Sequence, residues 1–100
     1  MAYDNIVIPQ EGQKITVKGD KLDIPDHPIL AYIEGDGIGT DITAASLRIW
    51  DAAVQAAYGG QRKVAWMEIY SGEKAANLYD GNYMPAETFE AMREFIVGIK

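Results

Sequence analysis

The 100-residue sequence contains no cysteine, which excludes disulfide bonds, thiolate metal sites and a cysteine nucleophile. It has a single histidine, His27, so a metal site or a catalytic relay built on two imidazoles is also excluded. Lysine and arginine together number 9 against 15 aspartates and glutamates, and the net charge of −6 argues against a surface for nucleic acids or anionic membranes. Since no long uncharged apolar run is present, we predict no membrane span.

The first five residues, Met-Ala-Tyr-Asp-Asn, lack the basic and apolar regions of a secretory signal peptide. Together with the lack of cysteine, this favours a reducing compartment, and we expect a cytoplasmic protein with no nucleic-acid or membrane partner. The apolar fraction of 48% is ordinary for a globular protein. A chain of this length is enough for one small domain.

Three glycines occupy alternate positions in Glu34-Gly35-Asp36-Gly37-Ile38-Gly39, between an apolar run and a segment of helical periodicity. Glycine adopts positive φ without steric cost, so the pattern predicts a tight strand-turn-helix connection. A dinucleotide-binding fingerprint would read G-x-G-x-x-G, but Thr40 stands where its third glycine belongs. The acidic residue that this fingerprint needs about 20 positions further on is missing as well. We therefore interpret the segment as a structural glycine turn rather than an ordinary Rossmann phosphate loop.

The periodicities predict an α/β fold in which an N-terminal β-hairpin is followed by βαβ units with parallel pairing. Alternating apolar residues around Lys18-Gly19-Asp20 predict the hairpin within residues 6–25. Buried strands are predicted at 29–33, 64–70 and 95–99, and helices from 40 or 41 to the glycine pair 59–60, within 71–79, and from Pro85 onward.

Helical spacing also predicts which side of each helix is buried. In the first long helix the predicted core stripe consists of Ile42, Ala45, Ile49, Ala52 and Ala56, widened by Leu47, Trp50 and Val54. In the last helix the predicted buried face carries Phe89, Met92 and Phe95.

The two acidic residues that flank Gly35, Glu34 and Asp36, suggest either a paired acid or a hard-cation site. Two carboxylates are too few to hold Mg²⁺ or Mn²⁺, so we predict no metal site in this turn. Asp36 is instead expected to accept backbone N–H bonds within the turn. His27, between Asp26 and Pro28, is interpreted as a loop histidine.

The remaining polar and aromatic side chains have structural interpretations. Ser71 and Thr40 lack the sequence context of an activated nucleophile. Lys74 and Lys100 could attract phosphate or carboxylate groups, but solvated surface is the more frequent role of isolated lysines. Four aromatic residues are interpreted as core or interface residues rather than base-stacking groups: Tyr32, Trp66, Tyr70 and Tyr83.

The residues around the glycine turn resemble the opening of the β-decarboxylating dehydrogenases, a family that includes isocitrate, isopropylmalate and tartrate dehydrogenases. The narrower resemblance, from about Ile6 to Lys100, is to its bacterial NADP-dependent isocitrate branch. It is carried by Lys-Ile-Thr at 14–16, Ile-Pro at 24–25, Tyr-Ile-Glu-Gly-Asp-Gly-Ile-Gly at 32–39, Trp-Met-Glu-Ile-Tyr at 66–70, Gly-Glu-Lys at 72–74, Pro-Ala-Glu-Thr at 85–88 and Gly-Ile-Lys at 98–100. Ala44, where the family usually has proline, and a stretch at 79–83 that is one residue shorter depart from the pattern.

The resemblance implies that residues 1–100 form a single incomplete domain, the N-terminal part of the large domain of the isocitrate/isopropylmalate dehydrogenase fold. It implies an oxidoreductase of the tricarboxylic acid cycle that oxidatively decarboxylates isocitrate to 2-oxoglutarate, with NADP and with Mg²⁺ or Mn²⁺, as a homodimer. The family's catalytic and metal-binding residues lie beyond Lys100. No catalytic or metal-binding residue is therefore assigned in this chain, and the 100-residue chain alone is expected to be inactive.

Ile38 is the one residue assigned to cofactor binding, because its counterpart in the resembled family lies near the nicotinamide cofactor. An apolar residue beyond the carboxyl end of a parallel strand suits that role, and core packing is the alternative. Two other functions remain open at this point. The chain could be a small standalone protein of this family that binds a nucleotide or caps a subunit, or a fragment of a related isopropylmalate or tartrate dehydrogenase.

Overall fold

The computed structural model describes residues 3–100. Its elements follow in chain order as β1 Thr16–Lys18, β2 Lys21–Asp23, β3 Ile29–Ile33, α1 Gly39–Tyr58, β4 Ala65–Ile69, α2 Glu73–Leu78, α3 Ala86–Phe95 and β5 Gly98–Ile99. Strands β1 and β2 form an antiparallel hairpin, and the other three form a parallel sheet in the order β4-β3-β5. The predicted α/β class, hairpin and parallel pairing are thus confirmed. None of the helices within the described residues is long and apolar enough to cross a membrane.

The hairpin is shorter than the segment for which it was predicted. Val17 pairs with Leu22 across a two-residue loop in which Gly19 has a φ of 66°. Both strands are exposed, whereas Ile15, just before them, is buried. The hairpin therefore lies outside the core, and the chain before it supplies the buried contacts.

One face of the parallel sheet is fully covered, and we call it the closed face. Alternate residues of β3 and β4 point towards it and pack against helix α3 and the N-terminal segment. Its members are between 0% and 4% exposed: Ile6, Ile29, Ala31, Ala65, Met67, Ile69, Ala91 and Phe95. Helix α3 begins after Pro85, and the hydroxyl of buried Thr88 donates to the carbonyl of Tyr70 at 2.7 Å.

Two predictions about the last forty residues of the fold are wrong in detail. Phe95 ends helix α3 instead of opening a strand, because the chain reverses at Ile96, where φ is 71° and the Val97 N–H bonds the Phe95 carbonyl at 2.7 Å. The buried face of α3 carries Thr88, Ala91 and Phe95, while Phe89 and Met92 are 44% and 37% exposed. Small residues at 88 and 91 let the helix approach the sheet closely, which large side chains would prevent.

The opposite face of the sheet is only half-covered, and we call it the open face. It carries Leu30, Tyr32, Trp66 and Glu68, all partly exposed, beneath helix α1. Helix α1 lies entirely within the described residues and contributes no buried side chain.

Only part of the predicted apolar side of helix α1 faces the sheet, namely the residues that widened the stripe: Leu47, Trp50 and Val54. Trp50 stacks on Trp66 with ring centroids 5.6 Å apart, and the Trp66 indole N–H donates to Asp51 at 2.9 Å. Beyond its first two residues, the half-buried positions of the helix are Thr43, Ser46, Leu47 and Val54. The predicted stripe is exposed at each of its members: Ile42, Ala45, Ile49, Ala52 and Ala56. Because α1 is apolar on more than one side, periodicity alone could not choose which side meets the sheet.

Candidate functional site

The glycine turn connects the carboxyl end of β3 to helix α1, as predicted. Gly35 and Gly37 have φ values of 86° and 57°. The N–H of Gly39 donates to the Asp36 carbonyl at 2.9 Å, and the N–H and hydroxyl of Thr40 donate to the Gly37 carbonyl at 3.3 and 3.0 Å. These bonds occupy amides at the start of the helix that a phosphate loop would offer to its ligand. The structure thus agrees with a structural turn rather than a phosphate cradle.

Asp36 links this turn to the loop that follows β4. Its carboxylate accepts a hydrogen bond from the backbone N–H of Glu73 at 3.1 Å. Gly72 has a φ of 86° and a ψ of −149°, and a Cβ at this position would collide with the Asp36 carboxylate. The prediction that Asp36 accepts a backbone N–H is confirmed, but the prediction that the donor lies in its own turn is wrong. Asp36 finds its donor in another loop because the carboxyl ends of β3 and β4 lie next to each other in the sheet.

Lys74 lies beneath the turn in an ion-pair cluster. Its ammonium group is 3.1 Å from Glu34 Oε1 and 2.5 Å from Glu68 Oε2, and it lies 5.7 Å from the centroid of the Tyr70 ring. The hydrogen bonds to Glu68 and Glu34 raise the pKa of Lys74 above its ordinary value, although partial burial acts in the opposite direction. Lys74 is therefore not the isolated, solvated lysine that the sequence suggested.

A groove of about 510 Å³ opens beside the turn, between the first half of α1 and the ends of β3 and β5. Its apolar lining comes from Tyr32, Ile33, Ile38, Ile42, Trp50 and Ile99, and its polar lining from Glu34, Asp36, Thr43, Ser46 and Lys100. Ile38 is 77% exposed and lines this groove, so it is not packed in the core of the described chain. The structure thus brings Ile38, Glu34, Asp36 and Lys100 to one edge of the sheet.

The other candidate residues lie elsewhere or serve the fold. His27 is exposed in the loop between β2 and β3, where its carbonyl accepts the Gln13 N–H at 2.8 Å. The aromatic prediction is confirmed for Tyr32 and Trp66, whose rings meet edge to face at 6.1 Å, while Tyr83 is 61% exposed. Ser71 lines a separate groove beside Lys100 on the other side of the sheet edge.

The carboxylates of the glycine turn do not combine into a metal centre. Among residues 3–100, no group of three or more histidine, cysteine, aspartate or glutamate side chains is arranged to hold a metal ion. Glu34 is paired with Lys74, and Asp36 is bonded to the Glu73 amide. The oxygen atoms that a divalent cation would need are thus engaged by the protein itself.

Sequence reasoning missed two residues that shape this edge of the sheet. Gly72 makes room for Asp36, and Glu68 is the second carboxylate partner of Lys74. A signal for Gly72 was present, because a glycine between a strand and a helix is the pattern that had already marked the first turn. The sequence pattern did not mark Glu68, because the path of the chain between β4 and α2 brings it to Lys74.

Comparison with known proteins gives close relatives of one kind. The chain is 52% identical to Isocitrate dehydrogenase [NADP] 1 of Psychrobacter sp. (strain 13A) and 50% identical to Isocitrate dehydrogenase [NADP] of Pseudomonas aeruginosa, with 100% of this chain and 24% of each relative covered. Isocitrate dehydrogenase [NADP] of Helicobacter pylori is 42% identical, with 100% of this chain and 26% of the relative covered. None of the protein-family models compared with the chain matches it.

These relatives confirm the resemblance inferred from the sequence, and they show how small a part of each relative the chain matches. The similarity covers the whole chain, including the glycine turn and the residues of the ion-pair cluster. The chain spans about a quarter of the length of the curated relatives that it matches, and the match lies in their first quarter.

Proposed function

We propose that this chain is the N-terminal part of the large domain of an NADP-dependent isocitrate dehydrogenase, with residues 1–100 forming one incomplete domain. The observation that carries the proposal is identity of 50–52% along the whole chain with proteins of that name. These names favour isocitrate dehydrogenase over isopropylmalate or tartrate dehydrogenases. The intact protein would oxidise isocitrate at its hydroxyl-bearing carbon, transfer hydride to NADP⁺ and release CO₂, as a cytoplasmic homodimer in the tricarboxylic acid cycle.

The chain's own contribution would be one wall of the cofactor site. The groove at the carboxyl edge of a parallel sheet is the usual position for a ligand in such folds. Ile38, Ile42 and Trp50 offer apolar contacts to a nicotinamide ring, and the Ser46 hydroxyl offers a polar one. When bound, the nicotinamide accepts the hydride.

The charges around the groove restrict which part of the cofactor it suits. Glu34, Asp36 and Lys100 line it, and Asp41 lies in the first turn of α1. Carboxylates repel phosphate groups and outnumber the single lysine, so this wall suits the nicotinamide ring of NADP⁺, which carries no negative charge, better than its phosphates. The pairing of Glu34 and Asp36 with protein groups likewise does not fit Mg²⁺ or Mn²⁺. We propose that the ion of the intact enzyme is held mainly by residues outside this chain.

The first test compares the chain alone with the complete protein. Purified on its own, the 100-residue chain is expected to show no isocitrate-dependent reduction of NADP⁺ with Mg²⁺ or Mn²⁺, whereas the protein encoded by the complete reading frame should show it. Absorbance at the wavelength of NADPH measures both, with a mock purification as the control. Turnover by the chain alone, or NADP binding by a chain whose reading frame stops at Lys100, would favour the standalone alternative.

The second test addresses Ile38 within the complete protein. Ile38→Ala should raise the KM for NADP roughly three- to tenfold, because an apolar contact with the cofactor is lost, and should leave the KM for isocitrate unchanged. Ile49→Ala is the matched control, since Ile49 is a similarly exposed isoleucine of α1 at 66% and does not line the groove. Equal effects of the two substitutions would remove Ile38 from the cofactor site.

A further inference from the structure

Two loops at the carboxyl edge of the sheet are joined by a set of polar contacts that we call the clamp. It consists of the Lys74 ammonium between Glu34 and Glu68, and of the hydrogen bond from the Glu73 amide to Asp36. The first loop is the glycine turn that presents Ile38, and the second joins β4 to α2. The clamp therefore connects the groove-lining turn to the neighbouring strand at two points.

The clamp combines groups from both sides of the β3–β4 pairing. Glu34 directly follows β3, Glu68 is the next-to-last residue of β4, and Lys74 lies in the first turn of α2. One ammonium group thus fixes the separation of three elements. The side chains of Glu34 and Glu68 are 28% and 22% exposed, so their attraction to Lys74 is screened less than that of a surface pair.

Stability alone is a weak explanation for this arrangement. Desolvating three charged groups offsets much of their mutual attraction, and a lysine side chain loses conformational freedom when held between two partners. Ion pairs at partly exposed positions typically contribute little to stability. Fixed geometry is what the clamp supplies, and the element that it fixes is the turn beside the groove.

Resting on the proposed function, we infer that Lys74 is a positioning residue for the cofactor site, which acts by holding the glycine turn so that Ile38 faces the groove. Lys74 does not line the groove itself. Its effect on the cofactor passes through Glu34 and the turn.

Kinetics of the complete enzyme test this inference. Lys74→Met, which keeps the length of the side chain but removes the charge, should raise the KM for NADP roughly three- to tenfold, with the KM for isocitrate changed less than about twofold. Lys74→Arg should restore most of the affinity, because a guanidinium can span both carboxylates. The matched control is Lys18→Met, which breaks the ion pair to Asp23 in the exposed hairpin and should change neither KM.

A readout without cofactor separates failure of the inference from failure of the proposed function. Amide hydrogen exchange in residues 34–39 should be faster in Lys74→Met than in the wild type, and unchanged in Lys18→Met. If the wild-type enzyme does not reduce NADP⁺, the proposed function fails, and exchange in the turn still decides whether Lys74 holds it. If the enzyme is active and Lys74→Met leaves the KM for NADP unchanged, the inference is overturned even if the melting temperature falls.

Glu68→Gln provides a second variant in case Lys74→Met does not fold. The substitution removes one carboxylate charge from the clamp and leaves Lys74 and Glu34 in place. It should shift the KM for NADP and turn exchange in the same direction as Lys74→Met, by a smaller factor. A wild-type KM together with wild-type exchange in Glu68→Gln would count against the clamp.

Discussion

The two faces of the parallel sheet differ in how completely they are covered. On the closed face, Met67, Ala31 and Phe95 are 0% exposed, and helix α3 lies tightly against the strands. On the open face, α1 contributes no buried residue, although it is twice as long, with 20 residues against 10. Helix length therefore says little about how much core a helix contributes.

The difference coincides with the position of the candidate site. The groove, the glycine turn and the ion-pair cluster all lie at the carboxyl edge of the sheet on the side of α1. A tightly packed core leaves little volume for a ligand, and the second groove, beside Ile69 and Ser71, opens only where the closed face ends. The closed face holds most of the core, and the open face leaves the groove proposed here as the cofactor site.

The largest expected effect tests the comparison directly. Phe95→Ala should lower the free energy of unfolding by about 3–5 kcal/mol, because it leaves a cavity among Ile6, Ala31 and Met67 on the closed face. Leu47→Ala, at a half-buried position of α1 over the open face, should lower it by less, about 1 kcal/mol. Denaturant unfolding followed by the fluorescence of the two stacked tryptophans measures both. Similar losses in both variants would show that the two faces are equally packed.

A second, smaller effect concerns Gly72, which lies at the carboxyl edge of the sheet beside the glycine turn. Gly72→Ala should cost more than Gly81→Ala, although the φ values of these glycines are 86° and 88°. A positive φ is unfavourable for alanine at either position, and the ψ of −149° at Gly72 lies close to a region that is essentially confined to glycine. Only at Gly72 does the added methyl group also meet a side chain, the Asp36 carboxylate.

Thermal unfolding of the two glycine variants gives the ranking, and a double variant identifies the cause. In an Asp36→Ala background the extra cost of Gly72→Ala should fall, because the colliding carboxylate is gone and only the cost of the backbone conformation remains. An extra cost that persists there would assign the effect to the backbone conformation of Gly72 alone.

The elements of the closed face were largely predictable from the sequence, and the covering of the open face was not. Strand β3 agrees with its predicted bounds of 29–33, since a short apolar run between proline and glycine permits few alternatives. The sheet-facing side of α1 was predicted only in part, because the stripe with Ile42 and Ile49 and the residues that widened it, Leu47 and Trp50, have the same period. Only the tertiary partner, Trp66, selects between these sides.

The residues of the candidate site were likewise predictable only in part. The glycine turn was predicted because positions that require a positive φ are usually occupied by glycine, which can be read directly from the sequence. Lys74 was misjudged because its partners, Glu34 and Glu68, are 40 and 6 residues away, and no local pattern joins them. Phe95 was assigned to a strand because an apolar run of five residues does not reveal where a helix ends and a strand begins.

The N-terminal segment covers one border of the closed face, which we call its rim. Glu87 of helix α3 holds that segment in place. Its carboxylate accepts the N–H groups of Asp4 and Asn5 at 2.7 and 3.0 Å, together with the Tyr79 hydroxyl. Burial alone would raise the pKa of Glu87, but these hydrogen bonds outweigh it and hold the pKa below its ordinary value. The next residue along the chain, Ile6, is 4% exposed and belongs to the core.

The smallest predicted effect is therefore a loss of stability in acid that begins at this rim. Because the pKa of Glu87 is lower in the folded chain than in the unfolded one, the unfolded chain binds more protons, and stability falls with the pH below the ordinary glutamate value of 4.5. Glu87→Gln should cost about 1 kcal/mol at pH 7 and flatten this part of the pH profile, while Glu90→Gln, at an exposed position of α3, should do neither. Denaturant unfolding at a series of pH values supplies the measurement.

Glu94, whose pKa is lowered by hydrogen bonds from Lys14 and Tyr3, titrates in wild type and variant alike and cancels in the difference. A Glu87→Gln profile parallel to that of the wild type would mean that Glu87 does not anchor the segment, and that apolar burial of Ile6 closes the face unaided.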